Sequence, residues 1–372
     1  MRVLQFGKFY PPDIGGIETA ICGMTEELNK RGVRCDVLCS NSANEYREET
    51  INGYKVYRTK SYGKVASTSI SPQMVFKLRE IVGRYDVIHV HHPDPMANLA
   101  LFLVNPKRQK VVVHWHSDIV NHRFLLQLYK PLLLWMLKRA DAVVVASPLY
   151  IEGSPFLQKF RAKVEIAPYE VERLAHDEEK VKEIKSKFAG KKIVFSLGRF
   201  VYYKGFEYLI EAAEYLDDRY VVLLGGAGPE EEKLRPLAEE HKNRVFLLGE
   251  ISRKDLGSYY KACDIFCLPS VERSEAFGIA MVEAMSFGKP VVATKIPHSG
   301  VQWVNRHKVT GLNVEPKNPK ALAYAIRQIL ENKELYTRMS ENALKRYRDK
   351  FSVEKEIDDS RPAVSSVVSS AV

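Results

Sequence analysis

The chain has 372 residues, with 45% hydrophobic and 27% charged side chains. This length exceeds what one hydrophobic core usually supports, and the composition excludes wholesale disorder, so we expect two folded domains. The formal net charge of +10 suits phosphate-bearing ligands, nucleic acid or an anionic membrane surface, although a basic surface that aids solubility explains it equally well.

The cysteines and the apolar runs exclude further classes of protein. None of the five cysteines has the C-x-x-C spacing of a zinc or redox site, so we expect buried free thiols in a reducing compartment. The start, MRVLQFGKFYPP, lacks the apolar region of a secretory signal. The longest apolar runs, such as LLLWML at 132–137, are far shorter than the roughly 20 residues of a spanning helix. We therefore expect a cytoplasmic protein, soluble or peripheral to a membrane.

The first half of the chain alternates short apolar runs with helix-length amphipathic segments, which is typical of parallel sheets built from βαβ units. A strand is predicted at 2–6 and a helix at 17–32, which ends at Gly32. A further helix, at 123–140, contains Pro131, and we expect it to be broken or kinked there. The other strands predicted in this half are 34–40, 86–90, 110–115 and 141–147.

A charged stretch poor in large apolar residues, 171–192, predicts a linker followed by a polar helix. Strands are then predicted at 193–198, 220–226, 244–249, 264–269 and 290–294, and helices at 206–216, 253–262, 319–332 and 333–351. The last residues, 358–372, lack helical periodicity, and we expect them to be disordered. The sequence thus predicts an α/β protein with two doubly wound domains, 1–170 and 171–357, hinged near 170–190.

Loops that follow strands hold the candidate site, because ligands of open α/β sheets bind beyond the carboxyl ends of the strands. With two such domains, the cleft between them is the expected site. After the first strand, Gly15 and Gly16 precede a helix, and this loop is either an anion contact or a plain tight turn. Its spacing is not GxGxxG, so it is no dinucleotide fingerprint. After 193–198, Arg199 and Lys204 form a candidate diphosphate clamp, or are two surface cations.

The stretch SEAFGIAMVEAM at 274–285 carries two acids among apolar residues, Glu275 and Glu283. We expect a helix to begin at about Phe277. Eight positions turn ~80° and rise ~12 Å along an ideal helix, so the two acids would hold two ends of one polar ligand rather than pair. The alternative is one acid favoured by the helix dipole and one buried acid paired to Lys or Arg. Three backbone N–H groups at the helix start would face a phosphate, those of Phe277, Gly278 and Ile279.

Histidines cluster at the ends of two predicted strands, namely His89, His91, His92, His114 and His116. A metal site there is an alternative to ordinary imidazoles that line a cleft. The sequence contains no D-x-D motif that would bridge a metal to a diphosphate. We therefore expect no essential metal.

Several motifs follow one another along the chain: the glycine loop, HWHSD (114–118), GRFVYYKG (198–205), GGAGPEEEKL (225–234) and SEAFGIAMVEAM (274–285). Over about residues 1–350 the chain resembles retaining glycosyltransferases of family four, and it is most similar to bacterial O-polysaccharide mannosyltransferases. The resemblance implies the GT-B fold, in which two Rossmann-like domains face each other across a cleft. The first domain would lie on the acceptor side and the second on the donor side.

The resemblance also implies an activity. A hexose would be transferred with retention, with mannose from GDP-mannose favoured over a UDP-sugar, to a lipid-linked or oligosaccharide acceptor in cell-surface polysaccharide synthesis. No essential metal is expected, no nucleic-acid partner is expected, and peripheral association with the cytoplasmic membrane face is an option. A nucleotide-sugar epimerase and a non-catalytic nucleotide-binding protein are the alternatives from other classes.

Site residues follow from the same resemblance. Gly15 and Gly16 would meet the donor phosphates, and His116 would contact the donor sugar near its 6-hydroxyl. Arg199 and Lys204 would neutralise the leaving diphosphate, which is electrostatic catalysis. The other implied site residues lie in the second domain. Glu275 would bind the sugar hydroxyls and Glu283 the ribose, while Gly226 and Gly228 would line the nucleotide.

Overall fold

The computed structural model describes residues 1–13, 15–65, 68–119 and 123–353. The chain divides into two compact units, the first over Met1–Tyr169 and the second beginning at Glu170. The tail at 358–372, for which disorder was predicted, lies outside the described residues.

In the first unit, strands alternate with helices except between β2 and β6, where strands follow one another. Its strands are β1 (Arg2–Phe6), β2 (Arg34–Ser40), β3 (Arg47–Ile51), β4 (Tyr54–Thr59), β5 (Lys64–Val65), β6 (Thr68–Ser69), β7 (Val87–His92), β8 (Lys110–Trp115), β9 (Ala142–Val145) and β10 (Val164–Ile166). Its α-helices are α1 (Gly16–Lys30), α2 (Gln73–Ile81), α3 (Pro95–Val104), α4 (Arg123–Arg139), α5 (Pro148–Glu152) and α6 (Pro155–Lys159).

One sheet organises this unit, with the strand order β10-β9-β8-β7-β1-β2-β4-β3. Neighbouring strands of this sheet pair in parallel, except that β3 and β4 form an antiparallel hairpin at one edge. The winding reverses between β1 and β7, and ligands of open parallel sheets bind at such a switch point. The glycine loop follows β1 at this switch point, and His116 follows β8, which pairs with β7.

The second unit repeats the same principle with a smaller sheet. Its strands are β11 (Lys192–Leu197), β12 (Tyr220–Gly225), β13 (Val245–Gly249), β14 (Ile265–Leu268), β15 (Val291–Thr294) and β16 (Gly311–Val314). Its α-helices are α7 (Glu178–Lys187), α8 (Phe206–Ala212), α9 (Glu231–Glu240), α10 (Arg253–Ala262), α11 (Ile279–Ser286), α12 (Val301–Val304), α13 (Pro319–Leu330) and α14 (Lys333–Lys350). All strands are parallel in the order β13-β12-β11-β14-β15-β16, so the switch point lies between β11 and β14.

Amphipathic helices cover the sheets, and α13 shows how the sequence directs one. Asn318 caps its first turn by accepting a hydrogen bond from the Ala321 N–H at 3.0 Å, and Pro319 occupies the first turn, where no N–H is needed. Leu322 and Ile326 recur on the face that packs into the core, while Tyr324 on the other face is exposed. Burial of each large aliphatic side chain contributes about 1.5–3 kcal/mol, so this face holds the helix on its sheet.

The strands predicted from the sequence all form, with ends that differ from the predictions by at most two residues. The predicted break at Pro131 is wrong, because α4 continues through that residue, and the predicted kink there stays a prediction. Pro131 is exposed, so the carbonyl that loses its N–H partner remains at the surface of the unit. The β3–β4 hairpin and β16 were not predicted.

None of the five cysteines forms a disulfide, as predicted; four are buried, whereas Cys22, which was also predicted to be buried, is half-buried. No helix among the described residues combines the length and the apolar character that a membrane span needs.

Candidate functional site

In the second unit, three loops at the switch point are bonded to one another. The Phe200 N–H, after β11, donates to the Ala227 carbonyl, after β12, at 2.9 Å. The Val271 N–H, after β14, donates to the Tyr203 carbonyl at 2.8 Å. These backbone bonds join the loops that carry Arg199, the glycines and Glu275 into one rigid edge of the sheet.

Two glycines permit this close approach. A Cβ at Gly226, where φ is +133°, would lie 2.0 Å from the Gly198 carbonyl oxygen. A Cβ at Gly228, where φ is +159°, would lie 2.4 Å from the Phe200 carbonyl oxygen. Packing between loops is thus sufficient reason for glycine at both positions, and their predicted contact with a nucleotide stays a prediction.

Lys204 and Glu275 form a buried ion pair. The Lys204 Nζ lies 2.6 Å from Glu275 Oε2, and the Ser270 hydroxyl donates to the same oxygen at 3.0 Å. The two charged side chains are only 14% and 8% exposed. Burial opposes a charge on Lys204, but the Glu275 carboxylate outweighs it and holds the pKa of Lys204 above its ordinary value. The Ser299 hydroxyl anchors the Glu275 carbonyl, so the acid is held from both its backbone and its side chain.

Arg199 behaves differently from Lys204, although both belong to the predicted clamp. Its side chain is exposed and makes no hydrogen bond or ion pair with any described residue. One cation of the clamp is therefore neutralised by an internal acid, and the other keeps its full bonding capacity for a ligand.

The helix that carries Glu283 begins later than predicted. α11 begins at Ile279, not at Phe277, because Gly278 adopts a left-handed conformation with φ of +82°. The Phe277 side chain is buried and packs against Trp303 and Phe351. The Met281 N–H donates to the Gly278 carbonyl at 2.9 Å, so a phosphate at this helix start would meet the N–H groups of Ile279 and Ala280.

Glu283 faces a different partner from Glu275. The Tyr260 hydroxyl on α10 donates to Glu283 Oε2 at 2.7 Å. Burial raises the pKa of Glu283, and this hydrogen bond opposes the increase only in part. The two acids therefore do not pair with each other, as the eight-residue spacing predicted.

In the first unit, the glycine loop leads into α1. Gly15 precedes the helix and Gly16 is its exposed first residue. A Cβ at Gly16 would meet no atom within 4 Å, so folding leaves open space beside this backbone. The helix start can therefore be approached closely by a ligand.

A buried arginine braces the start of that loop. Arg58 on β4 is 3% exposed, and its guanidinium donates to the Tyr10 carbonyl at 2.9 Å and to the Pro11 carbonyl. The same group pairs with Glu49 at 2.7 Å, while the Tyr10 and Tyr54 hydroxyls lie 2.9 Å apart. The β3–β4 hairpin thus sets the position of the loop that carries Gly15.

The histidine cluster is a buried stack on adjacent strands. Four imidazole rings stack along one face of β7 and the end of β8, those of His89, His91, His114 and His116. The ring centroids of neighbouring pairs are 4.4–5.7 Å apart. Burial lowers the pKa of His116 to about 3, so its ring is neutral. Both of its ring nitrogens already have partners, His91 and Tyr169. Within the described residues, no group of three or more His, Cys, Asp or Glu side chains is arranged to hold a metal ion.

Sequence reasoning missed the groups that hold the site residues. These are Ser270 beside Glu275, Tyr260 beside Glu283, Tyr169 beside His116, and Arg58 behind the glycine loop. Only Arg58 had a local signal, because the Asn52–Gly53 turn predicts a hairpin that would carry it.

Two family profiles match this chain, one described as Glycosyltransferase Family 4 over residues 14–150 and one as Glycosyl transferases group 1 over residues 177–346. O-antigen chain mannosyltransferase C of Escherichia coli is 31% identical over 362 residues, which cover 96% of each chain. D-rhamnosyltransferase WbpZ of Pseudomonas aeruginosa is 33% identical over 364 residues, which cover 95% of this chain and 92% of its own. The chain belongs to glycosyltransferase family four. The predicted enzyme class, a glycosyltransferase, is confirmed.

This family-four glycosyltransferase also shares its fold with solved structures. Sucrose-phosphate synthase of Thermosynechococcus elongatus superposes with a TM-score of 0.78 at 21% identity, over 95% of this chain and 96% of that one. Anabaena HepE in complex with UDP-glucose superposes with a TM-score of 0.75 at 20% identity, with the same coverage. At such identities the likeness concerns the fold, and it confirms the predicted GT-B class with its two Rossmann-like halves.

Proposed function

We propose that this family-four enzyme transfers mannose from GDP-mannose, with retention of the anomeric configuration, to a lipid-linked or oligosaccharide acceptor during synthesis of a cell-surface polysaccharide. The observation that carries the proposal is the arrangement at the second switch point. There Arg199 is exposed and its side chain bonds to no described residue, while Glu275 is held by Lys204 and Ser270. A guanidinium binds a diphosphate through two parallel hydrogen bonds, and a fixed carboxylate accepts bonds from sugar hydroxyls.

The same residues supply a mechanism. Arg199 and the first N–H groups of α11, at Ile279, would stabilise the charge that develops on the departing diphosphate. Lys204 adds a positive charge that Glu275 keeps in place, and Glu275 would hold the sugar as the bond to the diphosphate breaks. The acceptor hydroxyl would give its proton to the leaving diphosphate, so no separate protein base is required.

The nucleotide and the phosphates have further proposed contacts. Glu283 would accept hydrogen bonds from the ribose hydroxyls, and the loop of Gly226 and Gly228 would line the nucleotide. Gly15 and Gly16 offer the N terminus of α1 to a phosphate oxygen, with the open space beside Gly16 as support.

Transfer of a 6-deoxyhexose is the second candidate activity. The relative named D-rhamnosyltransferase is 33% identical to this chain, slightly more than the mannosyltransferase. Rhamnose is mannose without its 6-hydroxyl, so the two activities differ in one hydrogen-bonding group. A site that bonds a hydroxyl rejects the analogue that lacks it by roughly 10⁴-fold, so a direct comparison of the two donors separates the candidates.

The acceptor side supports peripheral membrane association. Large apolar side chains are exposed on α3 and α4: Phe102, Leu103, Phe124, Leu125 and Leu128. Exposed lysines flank them on α4, Lys130 and Lys138. An apolar patch rimmed by cations fits an anionic lipid surface, where a lipid-linked acceptor would reside.

A nucleotide panel tests the donor. We expect GDP and GDP-mannose to raise the melting temperature of the wild-type protein, because a ligand at 100 times its dissociation constant stabilises by about 2.7 kcal/mol. UDP should have no comparable effect. Stabilisation by UDP alone would overturn the choice of base, and no response to any nucleotide would contradict the proposed function.

Sedimentation with vesicles tests the membrane surface. The wild-type protein should sediment with vesicles that contain phosphatidylglycerol and less with neutral phosphatidylcholine vesicles. The Phe124→Ser/Leu128→Ser variant should lose this binding, whereas Tyr324→Ser, an exposed apolar residue of the second unit, should retain it. Equal sedimentation of the two variants would contradict the assignment.

A further inference from the structure

A chain of hydrogen bonds crosses the first sheet from Gln5 on β1 to Tyr169. Gln5 Oε1 lies 2.7 Å from His91 Nε2, and His91 Nδ1 lies 2.8 Å from His116 Nε2. The Tyr169 hydroxyl bonds to His116 Nδ1. All four side chains are buried, with exposed fractions between 0% and 7%. Water therefore does not compete for these bonds, and the ring of His116 is held at both nitrogens.

The direction of each bond follows from the Gln5 end. An amide oxygen only accepts, so His91 carries its proton on Nε2 and donates to Gln5. Burial lowers the pKa of both imidazoles far below the ordinary value, so each ring is neutral and has one N–H. His91 Nδ1 must then accept, and His116 must donate through Nε2. His116 Nδ1 is left as an acceptor, and the neutral Tyr169 hydroxyl donates to it.

The structure places the Gln5 amide with Oε1 toward His91 Nε2, while Gln5 Nε2 is buried and hydrogen-bonds to no described residue.

We propose that Gln5 and His91 are positioning residues that hold His116 in its Nε2–H tautomer, so that His116 Nδ1 accepts a hydrogen bond from a sugar hydroxyl that replaces the hydroxyl of Tyr169. This inference rests on the proposed function, which places His116 at the donor sugar. In this tautomer the unprotonated Nδ1 of His116 can accept a hydrogen bond from a hydroxyl group, but it repels a phosphate or carbonyl oxygen. A buried amide on β1 thus determines which chemical group His116 recognises.

Long-range ¹H–¹⁵N correlation spectra of the histidine-labelled wild-type protein test the tautomer directly. We expect the His116 ring, assigned with a His116→Gln variant, to be protonated at Nε2 and bare at Nδ1. A proton on Nδ1 would overturn the proposal. This measurement needs no donor and no stable Gln5 variant, so it is independent of the proposed function.

Gln5→Met tests the positioning role, because it keeps the volume of the side chain and removes the acceptor. We expect the population of the Nε2–H tautomer of His116 to fall, the kcat for sugar transfer to fall in the same proportion, and the Kd for GDP to change less than twofold. His89→Met is the matched control: His89 is fully buried, stacks on His91 with centroids 4.7 Å apart, and its ring nitrogens bond to no described residue. It should keep the His116 tautomer and the kcat.

Two results would overturn the positioning role: an unchanged tautomer in Gln5→Met, or a changed tautomer with unchanged kcat. If Gln5→Met does not fold, Gln5→Leu replaces it, since it also removes the acceptor for His91 Nε2 and should give the same changes in tautomer and kcat. A wild-type protein that turns over no nucleotide sugar would refute the proposed function, while the spectra would still decide the tautomer.

Discussion

Lys204 Nζ and Glu275 Oε2 lie 2.6 Å apart, although the two residues are separated by 71 positions in the chain. They follow β11 and β14, which are neighbours only because the winding of the second sheet reverses between them. Glu275 therefore has two roles to satisfy: it balances a buried cation, and it is the proposed ligand of the sugar. A loss of activity on removing Glu275 could arise from either role.

Glu275→Ala should destabilise the fold, because it leaves the Lys204 ammonium buried without its counter-ion. Removal of one partner of a buried pair costs about 3–5 kcal/mol, and Glu275→Gln should cost less because its amide oxygen still accepts a hydrogen bond. Urea unfolding measures the change. Glu272→Ala is the control, since Glu272 forms no ion pair with a described residue. Equal stability of Glu275→Ala and the control would contradict a structural role for the pair.

Arg199→Ala should leave the melting temperature unchanged, because the side chain is exposed and bonds to no described residue. The kcat should nevertheless fall by about 10²-fold or more if Arg199 stabilises the leaving diphosphate. Arg338→Ala, another exposed arginine of the second unit, should retain full activity. Wild-type kinetics in Arg199→Ala would remove Arg199 from the mechanism.

Gly16→Ala separates a folding role from a ligand role. The added Cβ meets no atom within 4 Å, so we expect the free energy of unfolding to stay within a few tenths of a kcal/mol or to rise. A donor phosphate that approaches this backbone would collide with the methyl group, and the KM for the donor should rise. Gly23→Ala, also in α1 with nothing within 4 Å, should be stabilised by up to about 1 kcal/mol and keep its KM. An unchanged KM in Gly16→Ala would contradict the phosphate contact.

The buried imidazoles should make stability depend on pH. Burial lowers the pKa of His89, His92 and His116 from 6.5 to about 3, so the unfolded chain takes up protons first as the pH falls. Their stabilising contribution is complete above about pH 6.5 and is lost on acidification, at about 1.4 kcal/mol per pH unit for each group.

His92→Phe tests this linkage. The native His92 ring stacks on Trp115 with centroids 3.9 Å apart, and the variant removes the titrating imidazole but keeps an aromatic ring at this position. Urea unfolding between pH 6 and pH 4 measures the free energy of unfolding. It should fall with decreasing pH less steeply in the variant than in the wild type, by about 1.4 kcal/mol per pH unit, the effect of one titrating group. Parallel pH profiles would contradict a depressed pKa at His92.

Much of the fold could be predicted because strands buried on both faces read as short apolar runs, as in KVVVHW at β8. The β3 strand could not be read this way, since REETI is exposed and charged and lies at the sheet edge. Its hairpin had one local signal, the Asn52–Gly53 turn, whose two residues have positive φ. Likewise, the late start of α11 depends on the left-handed Gly278, which an apolar run does not reveal.

In the candidate site, too, local features could be predicted from the sequence and contacts between distant segments could not. The positions of Arg199, Lys204 and Glu275 after strands could be predicted, because strand ends are local features. The partners of these residues could not, because the Lys204–Glu275 and His91–His116 contacts depend on strand order and register. That difference also explains why Lys204 and Arg199 looked equivalent in the sequence and are not equivalent in the structure.

The most direct test of the central claim is sugar transfer itself. Purified protein would be incubated with GDP-mannose, GDP-D-rhamnose or UDP-glucose and a lipid-linked saccharide acceptor, and the anomeric configuration of the product would be determined by NMR. The account predicts transfer from GDP-mannose with the anomeric configuration of the donor retained, and its loss in folded Arg199→Ala. Transfer from UDP-glucose alone, a product of inverted configuration, or full activity in Arg199→Ala would contradict it.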